Sequence, residues 1–517
     1  WIAAAQEPDG YLYTYRTILG DSAVEDWAGL NRWEKDHLHS HESYNLGHLY
    51  EAAVAYFQVT GKRALLDVAL KSADLVDHDF GPDALISYPG HQEIEMGLVK
   101  LYRLTGELRY LDLAKFFLDS RRGGETYNQA YLPVVEQNEA VGHAVRAAYM
   151  YSGMADVAAL TGDAAYVSAI DRIWEDVVSS KLYVTGGIGA AGEIEGFSVP
   201  NDLPNETAYC ETCAGIANIL WNYRLFLLHG DSKYLDVMER TLYNNVLSGI
   251  SMHGDEFFYP NPLESKGQYK RSTWFSCACC PSNVCRFIPS VPGYIYAHDE
   301  KSVYVNLFVS SVAEMALGGR TVRVTQASGM PWDGTTVIRI DPERSGTFSI
   351  KVRIPGWVDG HPVPSDLYRF AGHSEAAWKI LVNGEAADFI LEKGFAVIER
   401  KWQKGDEVSI EFPMEIRQIV ANPLLKADSG LVALQRGPLV YCVEGVDYAD
   451  STVSDVSLDP GVKLSAIYYQ DLLNAIVKLE GVDDINASES VPFIALPYYS
   501  WAHRGAWEMK VWIKQLN

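Results

Sequence analysis

The chain has 517 residues, 48% of them hydrophobic and 21% charged, enough to bury one large core and a smaller second one. Its formal net charge of -24 argues against a nucleic-acid partner, which would need a basic footprint. No apolar run reaches the length of a membrane span.

Trp1-Ile2-Ala3-Ala4-Ala5-Gln6 reads as the tail of a helix, because it runs straight into the turn Pro8-Asp9-Gly10. A chain that starts this way reads as a fragment, and it shows no basic segment leading into an apolar stretch and a small-residue cleavage site. From Tyr44 to Val59 apolar residues recur at helical spacing and stop at Thr60-Gly61, after which Ala64 to Leu75 resumes the period. The punctuation returns at Thr105-Gly106, Thr161-Gly162-Asp163 and His229-Gly230-Asp231. Each glycine can close a helix in a left-handed cap, so the spacing predicts four helical hairpins of related design. Repeated hairpins over about 300 residues suggest a toroid of paired helices.

Four histidines sit in this half: His41, His48, His91 and His143. A lone histidine on a helix is usually a satisfied core or surface residue. In a toroid, however, helix N-termini open on one mouth, and His91 and His143 each lie near a helix start, where convergence would make polar site walls. The glycine-rich run Thr185 to Phe197 is the most flexible stretch by composition, and no βαβ unit surrounds it to make it a dinucleotide fingerprint. Its Glu193 and Glu195, beside Phe197, could present a proton donor raised by an apolar neighbour. The plainer reading, an exposed loop with incidental acids, is favoured at this point.

Six of the seven cysteines fall in two windows, Cys210 and Cys213 in one, Cys277, Cys279, Cys280 and Cys285 in the other. Adjacent cysteines cannot easily bond to each other but can share one ion, which fits zinc better than a disulfide framework. A structural zinc on Cys210, Cys213, Cys279 and Cys280 and a catalytic metal site are equally compatible with the spacing. The spacing finds the metal and leaves its job open.

The period changes from Ser302 onward. Tyr304 to Val309, Thr321 to Val324, Phe348 to Ile354, Val408 to Phe412 and Leu431 to Tyr441 alternate apolar and polar residues. A β-sandwich region, one sandwich or two, is expected over 301-517, after a helical domain over 1-300. The serine-rich stretch Ser451 to Ser457 reads as a connection within it. The 13 Trp and 31 Tyr are expected mostly in cores, although such side chains also line carbohydrate sites.

Glu195-Gly196-Phe197, Glu211-Thr212-Cys213, Phe257-Phe258-Tyr259-Pro260-Asn261-Pro262-Leu263 and the run from Trp274 through Cys279-Cys280-Pro281 to Asn283 and Arg286 resemble glycoside hydrolase family 127, the β-L-arabinofuranosidase family. So do Gly47-His48-Leu49, Gly90-His91-Gln92-Glu93, Val141-Gly142-His143, Arg353-Ile354-Pro355-Gly356-Trp357 and Arg436-Gly437-Pro438-Leu439-Val440-Tyr441. The resemblance covers essentially the whole chain, and the Glu-x-Cys plus Cys-Cys-Pro combination is highly specific.

The resemblance implies an (α/α)6 barrel, here without its opening helices, followed by β-sandwich domains. It implies zinc held by Glu211, Cys213, Cys279 and Cys280, with Cys279 as nucleophile and Glu195 as general acid/base. It also implies a sugar pocket lined by His48, His91, His143 and Tyr259. Cys210, Cys277 and Cys285 become bystanders, displacing the four-cysteine set. Two departures stand out: Ser282 replaces a common second proline, and Glu193 stands where histidine-containing text is usual, which makes Glu193 the reserve acid/base.

The implied reaction is the retaining, exo-acting removal of a terminal β-L-arabinofuranose, or a closely related L-sugar, from a plant cell-wall glycan or glycopeptide. Another pectic sugar, the acidic aceric acid, would want a cation from Arg146, Arg271 or Arg286. A non-catalytic carbohydrate-binding toroid with structural zinc is the reading from a different class. Metal activation of water is a third mechanism, and it would need an open coordination position. Sandwich domains often contribute to dimers, so a homodimer is compatible with the sequence. Cytoplasmic and periplasmic placements both stay open, since zinc protects thiolates in either.

Overall fold

The computed structural model describes residues 1-448, 452-458, 462-482 and 493-515. It forms two compact units, Trp1–Val177 with Glu193–Ser198, and Val178–Gly192 with Val199–Asn517.

The first unit opens with two short helices, α1 (Ile2–Ala5) and α2 (Thr14–Leu19). Longer ones follow: α3 (Glu42–Thr60), α4 (Ala64–Asp79), α5 (Ile94–Thr105), α6 (Leu108–Asp119), α7 (Ala144–Thr161) and the start of α8 (Ala164–Ser180). In the second unit α9 (Thr212–His229) and α10 (Ser232–Arg240) make a further pair. The glycine punctuation does what the sequence predicts. Gly61, Gly106, Gly162 and Gly230 all cap their helices with positive φ, and each N–H closes on the carbonyl four residues back.

Within the first unit α3 packs on α5 and α5 on α7, while α4 meets α6. Alternate helices therefore build two layers, as paired-helix architecture requires. The inner α7 is buried at every position from Ala144 to Ala158, whereas the outer α4 and α6 bury one face each. Two glycines set the approach of α3 to α5. A Cβ on Gly47 would meet the Ile94 nitrogen at 2.6 Å, and one on Gly97 the Gly47 carbonyl at 2.7 Å.

The second unit carries the sheets. A 6-stranded and a 5-stranded sheet come first, with nearly all neighbours antiparallel and one parallel pair, Ser302–Val305 on Gly346–Arg353. Thr335–Pro342 shows why they pack: exposed and buried positions alternate along it, so one face is covered. An 11-stranded sheet follows, in which Leu439–Glu444 is buried at all six positions. That sheet also recruits Glu264–Lys266, paired antiparallel with Glu508–Lys510.

Two of the motifs singled out in the sequence clamp helices onto these sheets. Arg353, fully buried, donates to Asp236 at 2.8 Å and to Glu239, while the Gly356 N–H reaches Asp236 and the Trp357 indole N–H reaches Glu239. Asn244 donates to the Pro438 carbonyl and accepts from the Val440 N–H, holding Leu439–Glu444 against the π-helical turn Thr241–Val246.

Two expectations change. The glycine-rich run is a surface loop only in its second half: residues 185-190 are buried, whereas Gly192, Glu193 and Ile194 are exposed. Its glycines answer to packing, since a Cβ on Gly187 would meet the Cys210 sulfur at 2.8 Å. The strand expected over Tyr304 to Val309 ends at Val305, where Asn306 leaves the ladder and its carbonyl accepts from Arg353. In the serine-rich connection, Val453–Asp455 is a 3-10 turn, and Ser451 lies outside the described residues.

Candidate active site

In the second unit two helix N-termini supply the cysteine cluster. Glu211 is the N-cap of α9 and Cys213 lies in its first turn. Cys279 and Cys280 open α11 (Cys279–Phe287), which packs on α9. The positive ends of both helix dipoles therefore favour negative charge on these side chains.

The backbone before α9 is locked in place. Thr212 donates its N–H to the Tyr259 carbonyl at 3.0 Å and its hydroxyl to the Phe258 carbonyl at 2.7 Å. Asn245 and Asn261 both donate to the Cys210 carbonyl. Cys210 itself has φ +40° and turns its sulfur toward Gly187. The four-cysteine set does not form: among the described residues, the cysteine-bearing group whose ligand atoms all lie within 4.8 Å of one another is Glu211, Cys213, Cys279 and Cys280, without Cys210.

The spacings fit a metal centre. Cys213 and Cys280 sulfurs are 3.6 Å apart, Cys279 and Cys280 are 3.9 Å apart, and Glu211 Oε1 lies 3.6 Å from both Cys279 and Cys280. Disulfide sulfurs would be about 2.05 Å apart. A tetrahedral centre with metal–sulfur bonds of about 2.3 Å spaces its sulfurs about 3.8 Å apart. A Glu/Cys3 donor set of this size can hold a metal ion.

Of its three cysteines, Cys213 and Cys280 are buried and Cys279 is partly buried. The Cys213 and Cys280 thiols, with help from the Tyr259 hydroxyl, hold Cys279 down at about 2. Burial instead pushes Cys213 and Cys280 well up. Tyr259 lies with its hydroxyl 3.2 Å from the Cys279 sulfur. Burial, then the Glu211 and Cys279 charges, hold that phenol far above its ordinary range, so it stays a donor. Cys277 and Cys285 are exposed and Cys442 is buried outside the cluster.

The first unit assembles the histidines. His91 and His143 rings lie 5.7 Å apart, and Tyr44 sits 4.1 Å from His91 and 4.6 Å from His48. His91 Nδ1 is 3.0 Å from the Gln92 carbonyl, and burial keeps the ring neutral by pulling it well below its usual range. His143 caps α7, its Nδ1 accepting from the Arg146 N–H at 3.4 Å. The proton therefore sits on Nε2, which faces Glu195 Oε2 at 3.1 Å.

Glu195 is brought there by strain and by a short bridge. Its φ is +50°, a left-handed conformation uncommon for a residue with a side chain. The Ala144 N–H donates to the Glu195 carbonyl, and the Phe197 N–H to the Gly142 carbonyl, pairing His143 with Gly196. Glu193 is exposed. Arg146 donates to the Gly90 carbonyl and Arg271 to the Ser248 and Trp501 carbonyls, so both serve backbone contacts. Sequence reasoning gave no role to Glu93, whose carboxylate lies 3.2 Å from His48 Nδ1, or to Tyr44. The usable signal was an acid placed directly before the apolar start of a helix.

Comparison with known proteins adds an independent line. Residues 1–293 match the family model described as β-L-arabinofuranosidase, GH127 catalytic domain, residues 302–414 its middle domain and residues 416–514 its C-terminal domain. The chain belongs to glycoside hydrolase family 127. A non-reducing end β-L-arabinofuranosidase of Bifidobacterium longum subsp. longum is 36% identical over 571 residues, covering 99% of this chain and 83% of that protein. A solved GH127 β-arabinofuranosidase is 49% identical with TM-score 0.95, covering 100% of this chain and 83% of its own. A GH127 β-L-arabinofuranosidase from Geobacillus stearothermophilus T6 is 40% identical with TM-score 0.90, covering 100% and 85%. This family 127 protein is a glycoside hydrolase, and its substrate is a carbohydrate.

Proposed function

We propose that this glycoside hydrolase releases terminal β-L-arabinofuranose from plant glycans or glycopeptides with retention of configuration, Cys279 acting as nucleophile and Glu195 as acid/base. The observation that carries the reading is the burial pattern of the cluster: one of its three cysteines is only partly buried, and its sulfur has a phenol beside it. A purely structural centre has no reason to open a single thiolate.

Glu211, Cys213, Cys279 and Cys280 would hold zinc. When bound, zinc keeps its thiolates deprotonated and fixed in place at neutral pH. The Cys279 sulfur attacks the anomeric carbon while the Glu195 carboxyl protonates the departing oxygen, giving a thioglycoside; Glu195 then takes a proton from the water that displaces Cys279. His143 supports this cycle by donating to Oε2, which leaves Oε1 to carry the mobile proton. His48, His91, His143 and Tyr259 bind the sugar. We place this chemistry on residues 1-300, with 301-517 as supporting sandwiches.

Cys279→Ser is expected to abolish turnover of nitrophenyl β-L-arabinofuranoside. Glu195→Gln should lose turnover on poor leaving groups and recover much of it on activated aryl ones. A sugar-mimicking electrophile should label Cys279, with one zinc per chain by metal analysis and less in Cys213→Ser. An unlabelled Cys279 in an active enzyme would overturn the mechanism, and wild-type turnover in Cys279→Ser would do the same.

A further inference from the structure

Glu93 stands just before α5 as its N-cap, with a side chain at 0% exposure. Its Oε1 lies 3.2 Å from Nδ1 of His48, whose own side chain is 28% exposed. Burying a carboxylate is costly unless it is paired or hydrogen-bonded, and the His48 ring nitrogen is a partner that Glu93 has within the fold. Its neighbours are accounted for: Glu51 is bound by Lys100, and Glu95, which accepts from the Glu93 N–H, is bound by Arg121 at 3.3 Å. The atoms of His48, Glu51 and Glu93 lie close enough to suggest a second metal site, but Lys100 already neutralises Glu51, which weakens that reading.

We infer that Glu93 is a positioning residue that fixes the proton of His48 on Nδ1, so that Nε2 accepts a hydrogen bond from a substrate hydroxyl. The inference rests on the proposal that His48 binds the sugar. A ring nitrogen facing a carboxylate must carry hydrogen, and a neutral imidazole then has its lone pair on the other nitrogen. The tilt of the ring is set as well, by Tyr44 packed edge-on at 4.6 Å.

The same logic separates the three pocket histidines by role. His91 has Nδ1 against the Gln92 carbonyl and is likewise an Nε2 acceptor. His143 has the opposite tautomer and donates from Nε2 to Glu195. Sugar hydroxyls can donate to His48 and His91, while the proton-transfer residue has its own donor. The division follows from three different Nδ1 neighbours: a carboxylate, a carbonyl and an N–H.

The test combines a spectroscopic and a kinetic readout on the zinc-loaded enzyme. Nitrogen-15 NMR of histidine-labelled protein, with His48 assigned by its loss in His48→Ala, should show a neutral ring protonated on Nδ1. In Glu93→Gln the amide can donate to Nδ1, and the His48 signals should move toward the other tautomer. On nitrophenyl β-L-arabinofuranoside, Glu93→Gln should lower kcat/KM about tenfold or more, and less than about twofold when His48 is already alanine. An imidazolium, or an Nε2-protonated ring, in the wild type overturns the inference, as do Glu93→Gln and His48→Ala effects that simply multiply. Wild-type enzyme inactive on the arabinofuranoside but carrying the Nδ1 tautomer would instead count against the substrate assignment and leave Glu93 with its positioning role.

Discussion

Glu195 holds a conformation that costs a side-chain-bearing residue about 1 kcal/mol or more, and the backbone pairing of His143 with Gly196 is what maintains it. That pairing needs glycine, because a Cβ on Gly196 would come within 2.1 Å of the Gly142 carbonyl. Gly196→Ala should therefore open the bridge and release the carboxyl from His143. The expected result is a fall in kcat of about a hundredfold in a protein that still unfolds cooperatively, read by steady-state kinetics beside thermal unfolding. Unchanged kcat would show that the bridge does not position the proposed acid/base. At this scale the side chains proposed to react were legible from motifs. Their partners were not, because Glu93 meets His48 only where α3 crosses α5.

Among the helices, one amino acid does two different jobs. At Gly61, Gly106, Gly162 and Gly230 an added Cβ would meet nothing within 4 Å, so only the left-handed backbone asks for glycine. Gly162→Ala should cost about 1 kcal/mol in a denaturant titration and leave kcat/KM alone. At Gly47 the backbone is ordinary helix, but a Cβ would meet the Ile94 nitrogen at 2.6 Å and the Glu93 carbonyl carbon at 2.7 Å. Gly47→Ala should cost more, on the order of 1–3 kcal/mol from overpacking, and should also lower kcat/KM by shifting His48 beside it. Equal costs with no kinetic effect would contradict this reading of the helix contact. The caps could be read from sequence because they are local; the contact glycine could not, because its reason lies on another helix.

For the whole molecule, pH is a sensitive probe. Asp428 is buried, and it accepts from Asn205 at 2.8 Å. Burial pushes its carboxyl up from 3.8 to about 7, against the lowering effect of that hydrogen bond. The folded chain thus keeps a proton that the unfolded chain releases, so this contribution to stability is whole below about pH 4 and is lost as pH rises through about 7. Asp428→Asn removes the titration and should gain on the wild type by a few degrees in Tm between pH 5 and pH 8, measured by calorimetry. A difference that stays constant over that window would show that the buried carboxyl does not titrate there.

The sequence by itself determined the helical hairpins, the change of period to alternating strands, and the residue types able to bind a metal and transfer a proton. These follow from local backbone preference and donor chemistry, which need no distant neighbour. Only the tertiary structure decided which donors meet. Cys210 and Glu211 are adjacent in the chain, and spacing alone left open whether the cysteine joins the cluster. The left-handed turn at Cys210 buries its sulfur against Gly187, while Glu211, one residue on, caps α9 and joins the three cysteines at the start of α9 and α11. Likewise, the first part of a glycine-rich run that composition marks as loose is buried from 185 to 190, because its small residues answer to neighbours far away in sequence.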